Sequence, residues 1–183
     1  GVTKKVFLKF LDSLTPETTY TINFGNSIQD NNENNPLTFF SYTFSTGETI
    51  DSLYIRGNTS DAFSLESDEF ISLQLYRVDS LFKDSIIFKD KPTYISNTLD
   101  STNYKFQNLK EGKYLIIALK DVDNNYFFDP FYDKIGFIDS LITLPRDSII
   151  DLKLFKEETE IIWDRPHFIN SEKIGFGYYG KLD

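Results

Sequence analysis

The sequence predicts an all-β chain of tandem β-sandwich modules, and three observations carry that reading. Its apolar share is built from rings and β-branched residues, with 18 Phe and 11 Tyr among 183 residues, while Ala is scarce and Met and Cys are absent. Such side chains fit a pleated, half-buried surface, and the shortage of good helix formers argues against long helices. Apolar and polar residues alternate over short runs, and turn-forming residues separate the runs at intervals typical of a sandwich.

The runs can be taken in order. Val6, Leu8 and Phe10 alternate with Lys5 and Lys9. Tyr20, Ile22 and Phe24 alternate with Thr19, Thr21 and Asn23, and Phe40, Tyr42 and Phe44 with Ser41, Thr43 and Ser45. These are strands with one wet face. The polar stretch from Gln29 to Pro36 reads as the loop joining the last two strands of a small sandwich. Gly47 closes this first unit, residues 1–47, and Ser45-Thr46-Gly47-Glu48 is a connector. A second unit, residues 51–155, is expected from Leu53 and Ile55, then Ile71, Leu73 and Leu75, then Tyr104 and Phe106. The apolar run from Tyr114 to Leu119 has no alternation, as expected of a central strand covered on both faces. Ile142 and Leu144, then Ile150, Leu152 and Leu154, complete the set. Residues 156–183 change character. Glu157, Glu158 and Glu160 suggest a solvated linker, and Trp163-Asp164-Arg165-Pro166 with the Gly-broken stretch Gly175 to Gly180 suggests the opening of a further module.

Composition also excludes functions. A net charge of −9 with no basic run disfavours nucleic acid. Zero Cys removes disulfides, thiolate metal sites and Cys nucleophiles. No apolar stretch approaches the ~18 residues of a spanning helix. The chain opens on Gly1 and contains no Met, so it reads as a fragment of a longer product, and its lack of a targeting segment says nothing about where that product goes.

No constellation announces catalysis. Asp-Ser pairs at Asp12, Asp51, Asp79, Asp84, Asp139 and Asp147 read as turn punctuation rather than nucleophiles. His167 is the single histidine, with no Gly-x-Ser-x-Gly elbow to serve, and one His without Cys makes no zinc site. The richest local signal is Asp121 to Asp129. Asp121, Asp123, Asn125 and Asp129 stand at positions 1, 3, 5 and 9 of a calcium-loop spacing, so calcium is the expected cofactor of a metal reading. Against it, Tyr126 holds the position where such loops place Gly, and Tyr132 holds that of the bidentate Glu, with Asp133 one residue late to compensate. The alternative is an acidic turn after a buried strand. Tyr126, Phe127, Phe131 and Tyr132, with Phe128, form a candidate binding surface for a sugar or a protein; the alternative is that several of these rings turn inward.

Two longer patterns carry a family resemblance. Leu14-Thr15-Pro16-Glu17-Thr18-Thr19-Tyr20 leading to Ile22 and Phe24, then Phe40 through Phe44-Ser45-Thr46-Gly47, resembles the C-terminal part of a bacterial Ig-like domain of the S-layer type. Leu53-Tyr54-Ile55-Arg56-Gly57 with Asp61-Ala62-Phe63, followed by Tyr104-Lys105-Phe106-Gln107-Asn108-Leu109 and Gly112-Lys113-Tyr114, resembles the prealbumin-like modules of carboxypeptidase-regulatory and Cna-B-type domains. In the opening, Asn58-Thr59-Ser60 replaces the usual valine step. The order, Ig-like followed by prealbumin-like, is similar to that of Bacteroidetes Ig-like-domain proteins, commonly outer-membrane lipoproteins. The resemblance implies an exported protein held on the periplasmic or cell-surface face by a lipid anchor outside this chain. It transfers no catalytic residue. The expected function is therefore non-catalytic: a structural and protein-interaction module with protein partners in the outer membrane, possible subunit of a larger complex there. The alternative is a glycan-binding module using the rings at 126–132.

Overall fold

The computed structural model describes residues 7–25, 27–30, 32–37, 40–66, 68–98, 102–146, 149–158 and 162–179. The chain is all-β, as the alternation predicts, and separates into two compact units. Among the described residues no helix is long and apolar enough to cross a membrane.

The first unit comprises Gly1–Tyr54 together with Gln107–Glu111. Its strands β1 (Thr19–Asn23) and β2 (Ser41–Ser45) are antiparallel, with Tyr20 opposite Phe44 and Ile22 opposite Tyr42, so the predicted apolar residues share one face. Tyr20 stacks on Phe44 at 5.6 Å between ring centres, and Phe10 meets the same ring at 5.9 Å. On the opposite face the Thr21 and Thr43 hydroxyls lie 3.1 Å apart, and the Asn108 amide donates to both. Thr46 ties the entry to the exit: its hydroxyl donates to the Thr15 carbonyl at 2.7 Å and accepts the Thr18 amide at 3.0 Å. The polar loop joins β1 to β2 as expected, bridged between Gln29 and Pro36. Asp30 caps its tip by accepting the Asn32 and Glu33 amides. The expected first strand differs. Val6 lies outside the described residues, and residues 7–10 form no strand, because an alternating run becomes one only where a neighbour supplies a ladder.

The second unit, Ile55–Phe106 with Gly112–Asp183, holds most of an eight-stranded sheet. Its strands are β3 (Leu53–Asp61), β4 (Ser72–Arg77), β5 (Tyr94–Asn97), β6 (Asn103–Leu109), β7 (Gly112–Lys120), β8 (Lys134–Phe137), β9 (Ile142–Leu144) and β10 (Leu152–Lys156). The order is β5-β4-β7-β8-β10-β3-β6, with β9 also on β7. Two strands change partner along their length. β7 pairs with β9 over Gly112–Tyr114 and with β8 over Ile117–Lys120. β10 lies parallel to β3 over Leu152–Leu154 and antiparallel to β8 over Phe155–Lys156. Such exchanges turn a sheet around a core. Short strands β5 and β8 escape a reading by alternation, having only four residues each.

The β3 strand must pass close to the segment before β10. A Cβ on Gly57 would stand 1.6 Å from the Ile150 carbonyl oxygen, so only glycine fits. The Tyr104 hydroxyl donates to that same carbonyl at 2.7 Å, and burial pushes its pKa above the usual tyrosine value.

Residues 162–179 form one long hairpin in two paired sections. β11 (Ile162–Trp163) pairs with β14 (Tyr178–Tyr179), and β12 (His167–Asn170) with β13 (Lys173–Gly175). The Asp164 amide donates to the Gly177 carbonyl between them, and Asn170 caps the tip by accepting the Glu172 amide.

Candidate functional site

The pleat of β7 builds the site. Tyr114, Ile116 and Ala118 face one way, with Ile116 beside Leu75 and Ala118 beside Leu73, and all are buried. Leu115, Ile117 and Leu119 face the other way, in register with Tyr76, Gln74 and Ser72 of β4; Ile117 and Leu119 are also in register with Phe137 and Ile135 of β8. A sheet with two apolar faces needs two covers to keep water off them. The second cover comes from two connections. One is the 3₁₀ turn Asp84–Phe88 between β4 and β5, which lays Ile86 and Ile87 on the sheet. The other is the loop between β7 and β8, which sends in Phe128. The two are joined where the Phe128 amide donates to the Ile87 carbonyl at 3.0 Å, with the Phe88 and Phe128 rings 5.5 Å apart.

The cover is incomplete. Between the 3₁₀ turn and the β8–β9 connection an apolar groove of about 600 Å³ remains. Leu115, Ile117, Ile135 and Phe128 line it below, and Phe82, Phe137, Leu141 and Phe155 at its sides. Phe137 and Phe155 pack edge to face at 5.9 Å yet stay 49% and 41% exposed. Its polar lining is Ser140 and three acids, Asp84, Asp139 and Glu157; none of the described lining residues is Lys, Arg or His. Lys156, next to Glu157, is turned to the Tyr132 carbonyl at 3.1 Å. No element of the sequence reading pointed to this groove, because its walls come from five separate segments.

The acidic loop is organised by its own backbone. Asp121 accepts the Asn125 and Tyr126 amides, Asn125 accepts the Phe127 amide, and Asp129 accepts the Phe131 amide. Asp133, missed as a principal residue, is the most buried of these acids and accepts the Val122 and Asp129 amides at 3.0 and 2.8 Å. Burial raises its pKa above the ordinary carboxylate value, and the nearby Asp121 and Asp129 charges add to that. Tyr126, at the position a calcium loop gives to Gly, has φ of +68°, a left-handed backbone that the Asp121 bond holds in place. Asp123 is exposed. Among the described residues no three His, Cys, Asp or Glu converge as ligands for a metal ion. Of the five rings, Phe128 is buried, Tyr126, Phe127 and Phe131 are half-buried, and Tyr132 is largely exposed.

Several other polar groups have structural partners. Lys134 bridges Asp61 and Asp68 at 2.8 and 2.9 Å, and its hydrogen bond, with the Ser64 and Phe63 amides, holds the Asp61 carboxyl well below its usual value. Asp79, one of the Asp-Ser pairs, accepts the Leu81 amide as turn punctuation should. Asp147 lies outside the described residues. His167 is exposed on β12, opposite Gly175.

Residues 2–46, about a quarter of the chain, match the bacterial Ig-like domain family. No curated protein and no solved structure matches the chain.

Proposed function

We propose that this chain is a non-catalytic interaction module of an exported protein and that the groove over β7 and β8 is its docking face. The observation that carries the reading is the open apolar groove itself, built on paired strands and flanked by half-exposed Phe137 and Phe155. Rigid, partly desolvated aromatic sites of this kind are where interface energy concentrates. The Ig-like match supports a structural or protein-binding module of a bacterial surface protein. On this reading the protein sits at the outer membrane as a lipoprotein, anchored through a lipid outside the chain, in a complex with other membrane proteins. A prealbumin-like identity for the second unit is part of the same proposal, supported by the parallel pairing of the first and last strands of its eight-stranded sheet.

A photo-crosslinking amino acid placed at Phe137 tests the docking face in the bacterial envelope, with Lys153 as the control position. One protein captured in stoichiometric yield at Phe137, absent at Lys153 and lost on Phe155→Asn, is the expected result. Equal capture at both positions, or none, removes the reading. Glycan binding is the rival proposal, and Tyr132 is the ring exposed enough to carry it. It requires polysaccharide affinity that Tyr132→Ala abolishes, and a blank glycan array would remove it.

A further inference from the structure

We infer that the groove takes a short polypeptide segment whose large apolar side chains are flanked by Lys or Arg; this rests on the groove being the docking face. Two properties choose that occupant. The first is size: about 600 Å³ is the volume of a small-ligand pocket, enough for a few side chains and too little for the flat face of a domain. A short segment laying two or three apolar side chains against Ile117, Ile135 and Phe137 fills it.

The second is charge. Asp84, Asp139 and Glu157 stand around apolar walls with no cation among the described lining residues, in a chain of net charge −9. Low-dielectric walls focus the field of such a rim. An acidic segment, a fatty acid or a phospholipid headgroup arriving there meets repulsion, whereas a segment with cationic ends is attracted and oriented. Apolar contact supplies the affinity and the rim supplies the choice of partner and register.

The test uses the whole chain and two labelled eight-residue peptides, each with Phe-Ile-Leu-Phe at its centre. One carries two Lys at each end and the other two Glu. Fluorescence anisotropy should show the Lys peptide binding at least about tenfold more tightly at low salt, with the gap narrowing at high salt as screening sets in. Phe137→Asn should abolish binding of both, and Asp139→Asn with Glu157→Gln should erase only the preference. Thermal melts of each variant establish that it remains folded. Equal binding of the two peptides, lost on Phe137→Asn, overturns the charge argument and leaves the docking face standing. No peptide binding, with crosslinking at Phe137 intact, overturns this inference alone; loss of both removes the docking face as well. Binding of the Lys peptide that survives Phe137→Asn places it elsewhere and overturns the inference. Self-association of the chain that Phe137→Asn abolishes makes a second copy the occupant and also overturns it.

Discussion

Strand β7 and the hairpin at 162–179 lie at opposite extremes of one structural unit. β7 is covered on both faces: Tyr114, Ile116, Ile117, Ala118 and Leu119 are all buried. In the hairpin no described side chain is buried, and Trp163, Phe168 and Phe176 are 62%, 80% and 64% exposed. Both are β and both are rich in apolar residues, so propensity does not separate them. What separates them is the number of layers laid against each, and layers rather than strand pairing supply most of the stability of a sheet.

That contrast can be broken at a single residue. Ile117→Asp should cost about 4 kcal/mol or more and unfold the second unit, because it buries an unpaired charge against Phe128 and Ile135. Phe168→Asp should shift the melt by about 0.5 kcal/mol or less. Circular dichroism melts compare the two, and equal effects would dissolve the distinction.

Backbone approach gives the next largest difference. Gly57→Ala forces a methyl into the Ile150 carbonyl and should cost about 3 kcal/mol by urea denaturation. In the hairpin, a Cβ on Gly177 meets the Asp164 Cβ at 3.1 Å, a contact that a shift of a few tenths of an ångström relieves, so Gly177→Ala should cost less, about 1 kcal/mol.

The β7–β8 loop is intermediate. Asp121→Ala strips the acceptor from two amides and releases Tyr126 from its left-handed backbone, for a loss of about 1–2 kcal/mol. Asp123→Asn, on an exposed residue, should leave the melt unchanged.

Acid sharpens the comparison further, since two carboxylates of the covered region titrate with opposite sign. Asp61 has a folded pKa below its unfolded value of about 3.9, so its contribution is present above that pH and is lost as pH falls below it. Asp133 has a raised folded pKa, so its burden is present at neutral pH and is relieved as pH falls through the folded value. Denaturant titrations across the acid range should therefore show a flatter loss of stability for Asp61→Asn and a steeper one for Asp133→Asn. The smallest effect concerns calcium. With Asp121, Asn125, Asp129 and Asp133 already engaged by backbone amides, millimolar calcium or a chelator should leave the melting temperature unchanged; a rise with calcium would show the loop exchanging amides for a cation.

Sequence made β7 legible because an unbroken apolar run of that length has one economical explanation, burial on both sides. It made β1 and β2 legible for a complementary reason, since Tyr20 and Ile22 alternate with threonines and pair in register with Phe44 and Tyr42. The acidic loop was legible as a loop and ambiguous as chemistry: spacing of oxygen side chains that suits a cation also suits successive caps of a tight turn. The groove was not legible at all. Phe82, Phe128, Phe137 and Phe155 carry no shared local pattern, and only the partner exchange along β7 and β10 brings them around one hollow.

The parallel pairing of β3 with β10 has a mechanical consequence. The chain enters the eight-stranded sheet along β3 and leaves it along β10 in the same direction, so its entry and exit lie at opposite ends of that ladder. A pull along the chain loads the ladder lengthwise. The Ile150 amide on Arg56, the Asn58 amide on Asp151, the Leu152–Leu154 register with Thr59–Asp61 and the Ala62 amide on Leu154 then bear the force together, not one after another. An antiparallel closure would peel open like a zip. This one has to slide, every bond along it stretching at once.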